Sequence, residues 1–182
     1  MIILCTHNCG GVGKTTLAIH AAGVLSSQSS KSTLLMDCDD QADSWLFYAN
    51  KMPELYELLR LGDSLSILDN HKRQKIANVV NLEEYDHIVI DIDSEFLNTL
   101  RSIMQNKPDV ILIPINKSQQ HKALNKISPV FLSIATLERK YGFCSDIIIV
   151  PLGVKQDIIV QAIQKVQDKP QSYWVAPELR YL

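Results

Sequence analysis

The chain has 182 residues, 46% of them hydrophobic and 21% charged, with a net charge of −2: enough for one domain around a buried core, and short for two. No apolar run approaches the roughly 20 residues that span a bilayer. Four cysteines, Cys5, Cys9, Cys38 and Cys144, lack zinc-like or disulfide-framework spacing and read as reduced thiols of a cytosolic protein.

In chain order, the opening "MIILCTHN" has no basic region and reads as a first strand over 2–6, not a signal peptide. A glycine-rich loop at 7–13 follows. Residues 14–28 form a helix with apolar residues at 17, 18, 21, 22 and 25 on one stripe. Short, continuous, β-branched runs recur at 32–36, 87–90, 109–115 and 146–150, as strands buried on both faces do. The stretch 42–82 suggests helices near 42–50, 54–61 and 71–80, with an edge strand near 65–68. Residues 120–142 form a long amphipathic helix that Pro129 should break or kink, and 155–167 form another. The tail, with two prolines and three aromatics, is expected to pack across the domain or a neighbour. Alternating strands and helices over 1–182 predict a single α/β domain with a doubly wound, mostly parallel sheet and helices on both faces.

The functional signal is "HNCGGVGKTT" at 7–16. Between a strand and a helix, such a loop is a phosphate cradle. Gly10, Gly11 and Gly13 let the backbone wrap around oxygen atoms. The amides of Gly11, Val12, Gly13, Lys14, Thr15 and Thr16 would then face the phosphates at the positive end of the helix. Lys14 would bridge β- and γ-phosphates, and the Thr15 hydroxyl would ligate Mg2+. Acids end two strands: Asp37 and Asp39 in "MDCDDQ", Asp91 and Asp93 in "VIDIDS". In an open α/β sheet these stand beside the loop. Asp91 has the Walker-B position and would hold the Mg2+ shell. Asp40, Asp43 and Asp93 read as solvated or capping acids.

"GGVGKTT" followed by a strand ending in "DCDDQ" resembles the ParA/MinD family of deviant Walker-box ATPases. The resemblance is sharp over 2–45 and 85–93. It implies a P-loop NTPase fold, an ATP-dependent homodimer, weak ATPase activity stimulated by a small adaptor protein, and non-specific binding to nucleoid DNA in the cytoplasm. On this sequence it implies that Asp39 positions the attacking water, Asp37 supports the metal and Gln41 lies near the site. The departure is Cys9, where the family carries a lysine that reaches across the dimer. A thiol is shorter and cannot be cationic. The chain then binds ATP without efficient hydrolysis, dimerises differently, or admits another cation, for which Lys155 in "VPLGVKQD" is the candidate. A branch that lacks the same lysine, McdA, spaces carboxysomes over the nucleoid, and this chain most resembles that branch.

Charge is unevenly spread. Residues 51–100 hold five Lys/Arg against ten Asp/Glu, and residues 101–140 hold seven against two. This fits either a basic face or two solvated helices. Lys122, Lys126, Lys165 and Lys169 are the leading candidates for contact with DNA phosphates, with Lys117, Arg139, Lys140 and Arg180 as further cations. The proline-broken tail gives no amphipathic membrane helix.

Overall fold

The computed structural model describes residues 1–28 and 32–179. The apolar runs become the central strands of one eight-stranded sheet. They are β1 (Ile2–Cys5), β2 (Thr33–Cys38), β3 (Leu58–Leu61), β4 (Leu65–Asp69), β5 (His87–Ile92), β6 (Val110–Asn116), β7 (Asp146–Leu152) and β8 (Tyr173–Val175). Their spatial order is β3-β4-β2-β5-β1-β6-β7-β8, and every pairing but β3–β4 is parallel. Strand β1 lies between β5 and β6, where the winding of the chain reverses. Loops leaving the strands at that point border a crevice, the usual ligand position of such sheets.

Two cores cover the two faces. Helices α1 (Lys14–Ser27) and α2 (Asp43–Tyr48) pack Ala18, Ala22 and Trp45 on Ile3, Leu35, Ile67 and Val89. On the other face lie α3 (Phe96–Asn106), α4 (Gln120–Tyr141) and α5 (Gln156–Gln164), whose Ile103, Phe131 and Ile159 join Leu4, Ile90, Ile113 and Ile149. Consecutive residues of β1 therefore serve opposite cores, the period-2 alternation of a strand buried on both sides.

Several expectations are corrected. Residues 54–61 are not helical. Their second half is β3, an antiparallel edge strand that turns at Gly62 (φ 78°) into β4. A helix of eight residues is marginal alone, and pairing with β4 satisfies its backbone instead. Strand β4 is accordingly not an edge, being flanked by β3 and β2. Over 71–80 the only helix is a single 3-10 turn, Ile76–Asn78. Pro129 does not break α4, which runs through it; the residue is exposed, so water can take the carbonyl its ring leaves unpaired. The tail adds strand β8 beside β7, with Leu179 hydrogen-bonded to Pro151 and Gly153. Helix α3 has no counterpart in the sequence expectations.

Candidate functional site

Strand β1 delivers the loop 6–13 to the crevice, and α1 starts behind it. Gly13 caps α1 at φ 97°, where only glycine is unstrained, and a Cβ there would stand 2.8 Å from the Leu152 side chain. The loop edges a cavity of about 980 Å3. At one end this is lined by Gly10, Gly11, Gly13, Lys14, Thr15 and Thr16, with Asp39, Gln41, Asp43, Asp93 and Ser94 around them; Leu17, Leu152 and Leu179 give it an apolar wall. The side chain of Val12 is fully buried in the core, so this residue can offer a ligand only its backbone.

The loop's polar groups are used asymmetrically. The carbonyl of Asn8 accepts from Lys126 Nζ at 2.8 Å, and that of Gly11 from Asn116 Nδ2 at 2.9 Å. The Gly13 carbonyl accepts from Leu17 N–H, and the Cys9 thiol points at the Gly10 carbonyl at 3.7 Å. Among the described residues, no N–H from Asn8 to Gly13 donates to a protein acceptor. A run of free amides at a helix N-terminus is an anion cradle. Lys14 is 8% exposed, donates to Ser94 Oγ at 2.6 Å, and has its pKa pulled down by burial, against the opposing pull of Asp91, Asp39 and Asp93. His7 is buried beneath the loop, and burial with the nearby Lys14 and Lys126 charges lowers its pKa to about 4.

Three buried aspartates stand side by side at the ends of β4, β2 and β5: Asp69, Asp37 and Asp91 share one register row. Two of them have protein partners. Asp69 accepts from His71 Nδ1 and from Tyr56 N–H. Asp37 accepts from the Asp39 amide at 3.0 Å on one oxygen and the Trp45 amide at 2.8 Å on the other. Asp37 thereby shapes the turn carrying Asp39, whose own Oδ1 accepts from Gln41 N–H. Asp91 differs. Neither of its oxygens has a hydrogen bond of ordinary geometry, and it is fully buried. Burial, then the Asp37 charge, raises its pKa to about 7, with the Thr15 hydroxyl and Lys14 ammonium acting the other way. An orphaned buried carboxylate beside a threonine hydroxyl, under a phosphate-type loop, is the donor set of a hard divalent cation. The site thus fits Mg2+ at Thr15 and Asp91.

Other candidates fall in different places. Asp93 holds Arg73, caps the Glu95 amide and accepts from Asn98. Arg73, at φ 53°, also pairs with the exposed Asp40 at 3.2 Å and so ties the Asp39 turn to the Asp93 turn. Lys155 precedes α5, is exposed, and does not line the cavity. The four leading DNA candidates are not one patch. Lys122 and Lys126 lie in the first turns of α4, on the loop side of the sheet. Lys165 and Lys169 follow the end of α5, which runs back toward the opposite end, as does α4 with Arg139 and Lys140. Arg180 lies outside the described residues. Ser94, Asn116, Arg73 and Leu179 are site residues for which sequence reasoning gave no role; none belongs to a spacing motif, and only the fold brings them to the loop.

Residues 1–82 match the model of a family described as an AAA domain. No curated protein matches the chain by sequence. Solved structures match it along 98% of its length. An ATP complex of a McdA variant from Cyanothece is 20% identical with a TM-score of 0.72, 82% of that chain being covered. A plasmid partition protein from Borrelia burgdorferi is 18% identical with a TM-score of 0.63, 90% of it covered. MinD of Aquifex aeolicus, in its complex with MinC, is 19% identical with a TM-score of 0.63, 81% of it covered. The chain has the P-loop NTPase fold of these ParA/MinD-type proteins.

Proposed function

We propose that the chain binds ATP with Mg2+ and hydrolyses it slowly, as a ParA-type ATPase that dimerises on ATP, binds nucleoid DNA without sequence preference and positions an intracellular cargo through an adaptor protein. The observation that carries the reading is Asp91, a fully buried carboxylate next to the cavity-lining Thr15 and Lys14, with neither oxygen in a hydrogen bond of ordinary geometry. The triphosphate takes the amides of Gly11 to Thr16 and the Lys14 ammonium, and the base takes the apolar wall at Leu17, Leu152 and Leu179. Thr15 and Asp91 hold the Mg2+, which when bound neutralises phosphate charge. Asp37 supports that cation by its charge, its oxygens being committed to amides. Asp39, at the cavity edge, orients the attacking water.

The ATP complex of the Cyanothece McdA variant supports the nucleotide, and partition and positioning proteins among the structural neighbours support the cargo role, with a carboxysome as the leading candidate and a plasmid as the alternative. A second reading, an ATP-dependent dimerising module with negligible hydrolysis, is favoured by Cys9. This residue is buried and its thiol faces the Gly10 carbonyl, so it supplies no cation to a partner copy. Lys155, exposed beyond the cavity, is the residue we assign to that task. Lys155→Ala should abolish ATP-dependent dimerisation in light scattering and leave monomer nucleotide binding intact.

Steady phosphate release from the purified protein, with and without duplex DNA, separates the two readings. The ATPase reading expects release that Asp39→Ala abolishes while ATP binding persists; release unaffected by Asp39→Ala contradicts it. ATP-dependent, salt-sensitive retention of random duplex DNA is expected; equal retention with ADP argues against DNA as the track.

A further inference from the structure

The carbonyls of Asn8, Gly10, Gly11 and Gly13 have protein donors, and two of those donors are side chains from distant elements. Lys126 comes from the second turn of α4 and Asn116 from the end of β6. We infer that Lys126 and Asn116, the latter lining the cavity itself, are positioning residues that occupy the Asn8 and Gly11 carbonyls and fix their peptide planes, so that the loop presents amides to an anion before any nucleotide arrives. The inference rests on the nucleotide reading of this cavity and adds what keeps the cradle formed.

The chemistry follows from the peptide unit. Each carbonyl and its next amide are fixed to one plane, so fixing the direction of the Asn8 and Gly11 oxygens fixes the Cys9 and Val12 N–H groups on the opposite side. A loop free to rotate would present carbonyl dipoles to a triphosphate in part of its population, and affinity would fall by that fraction. Asn116 is itself fixed: its Oδ1 accepts from the Gln119 amide at 3.1 Å and the Ser118 hydroxyl at 2.7 Å, which aims its Nδ2 at Gly11. Lys126 is an exposed side chain on a helix whose buried face, at Ala123, Ile127 and Val130, is packed in the core, so its stem starts from a rigid base. A charged donor makes the stronger kind of hydrogen bond. The role also accounts for Lys126 standing apart from a DNA patch: its ammonium is engaged on the loop, not held out to solvent phosphate.

The test compares Lys126→Met, which keeps the stem and loses the donor, with Lys126→Arg, which restores a donor. The backbone order parameter of the Cys9 amide in the nucleotide-free protein, from 15N relaxation, should fall in Lys126→Met and return toward wild type in Lys126→Arg. Affinity for ATP with Mg2+, by calorimetry, should fall three- to tenfold in Lys126→Met and recover in Lys126→Arg. The loss should persist at raised salt, where a loss due only to bulk charge is screened away. The melting temperature should not move, since Lys126 is exposed. A Cys9 order parameter unchanged in Lys126→Met overturns the inference, as does an affinity loss that salt erases. A wild-type protein that takes up no ATP overturns the nucleotide reading alone, and the relaxation measurement still decides whether the tether exists.

Discussion

Asp91→Asn should make the nucleotide-free protein more stable near neutral and alkaline pH while removing its Mg2+-dependent affinity for ATP. Wild-type Asp91 is fully buried with neither oxygen in a hydrogen bond of ordinary geometry, and its pKa is raised from 3.8 to about 7 by burial first and Asp37 second, the Thr15 hydroxyl offsetting part of this. The folded state therefore binds a proton more tightly than the unfolded state. Between about pH 4 and pH 7 wild-type stability falls as pH rises, and the penalty is complete above the folded value. About three pKa units correspond to about 4 kcal/mol. The asparagine carries no charge but leaves an unsatisfied buried amide, which costs about 1–3 kcal/mol. The net gain should be about 1–3 kcal/mol at a pH of about 8, and should vanish or reverse at a pH of about 4, where wild-type Asp91 is neutral. Urea unfolding of both proteins across that range, without nucleotide or metal, measures it. A variant less stable than wild type at alkaline pH, or a difference independent of pH, would refute the claim that an uncompensated carboxylate is buried beside Thr15 and Lys14.

Other expectations concern the loop and its surroundings. Gly13→Ala meets both a φ of 97° and the Leu152 side chain; it should destabilise by about 1–3 kcal/mol, measured by denaturant unfolding, and remove ATP binding. The His7 imidazole should stay neutral to well below its ordinary value, being lowered to about 4, which an NMR titration reads directly. The unfolded state takes up a proton below about pH 6.5 and the folded state only below about 4. His7 therefore subtracts stability as pH falls through that window, by roughly 3 kcal/mol at its lower end. This trend opposes that of Asp91, so Asp91→Asn should expose a steeper acid decline than wild type shows; an ordinary imidazole titration would contradict it.

Much of this site is legible in residues 7–16 because a phosphate loop is local: its glycines, Lys14 and Thr15 are consecutive, and the flanking strand and helix come from the same stretch. Asp91 is legible for a similar reason, as the first acid after three apolar strand residues. The central strands were readable because double-sided burial leaves uninterrupted β-branched runs. What escaped depends on distant partners. Residues 58–61 have helix-like leucine spacing and become a strand only because β4 lies beside them. Asp37 looks like a metal ligand beside Asp39, yet the α2 amide at Trp45 claims one of its oxygens. Lys126 looks like any surface cation until α4 is placed against the loop. Helix α3 is legible in the sequence itself, where Phe96, Leu100 and Ile103 carry a helical stripe.

The central claim is that the amides after β1 clasp a triphosphate whose Mg2+ is held by Thr15 and Asp91. A crystal structure grown with a slowly hydrolysed ATP analogue and Mg2+ tests it most directly. The account predicts phosphate oxygens on the Gly11 to Thr16 amides and the Lys14 ammonium, with the metal on the Thr15 and Asp91 side of them. A nucleotide bound elsewhere, or Asp91 still without a cation or bridging water while the analogue fills the cavity, would contradict it.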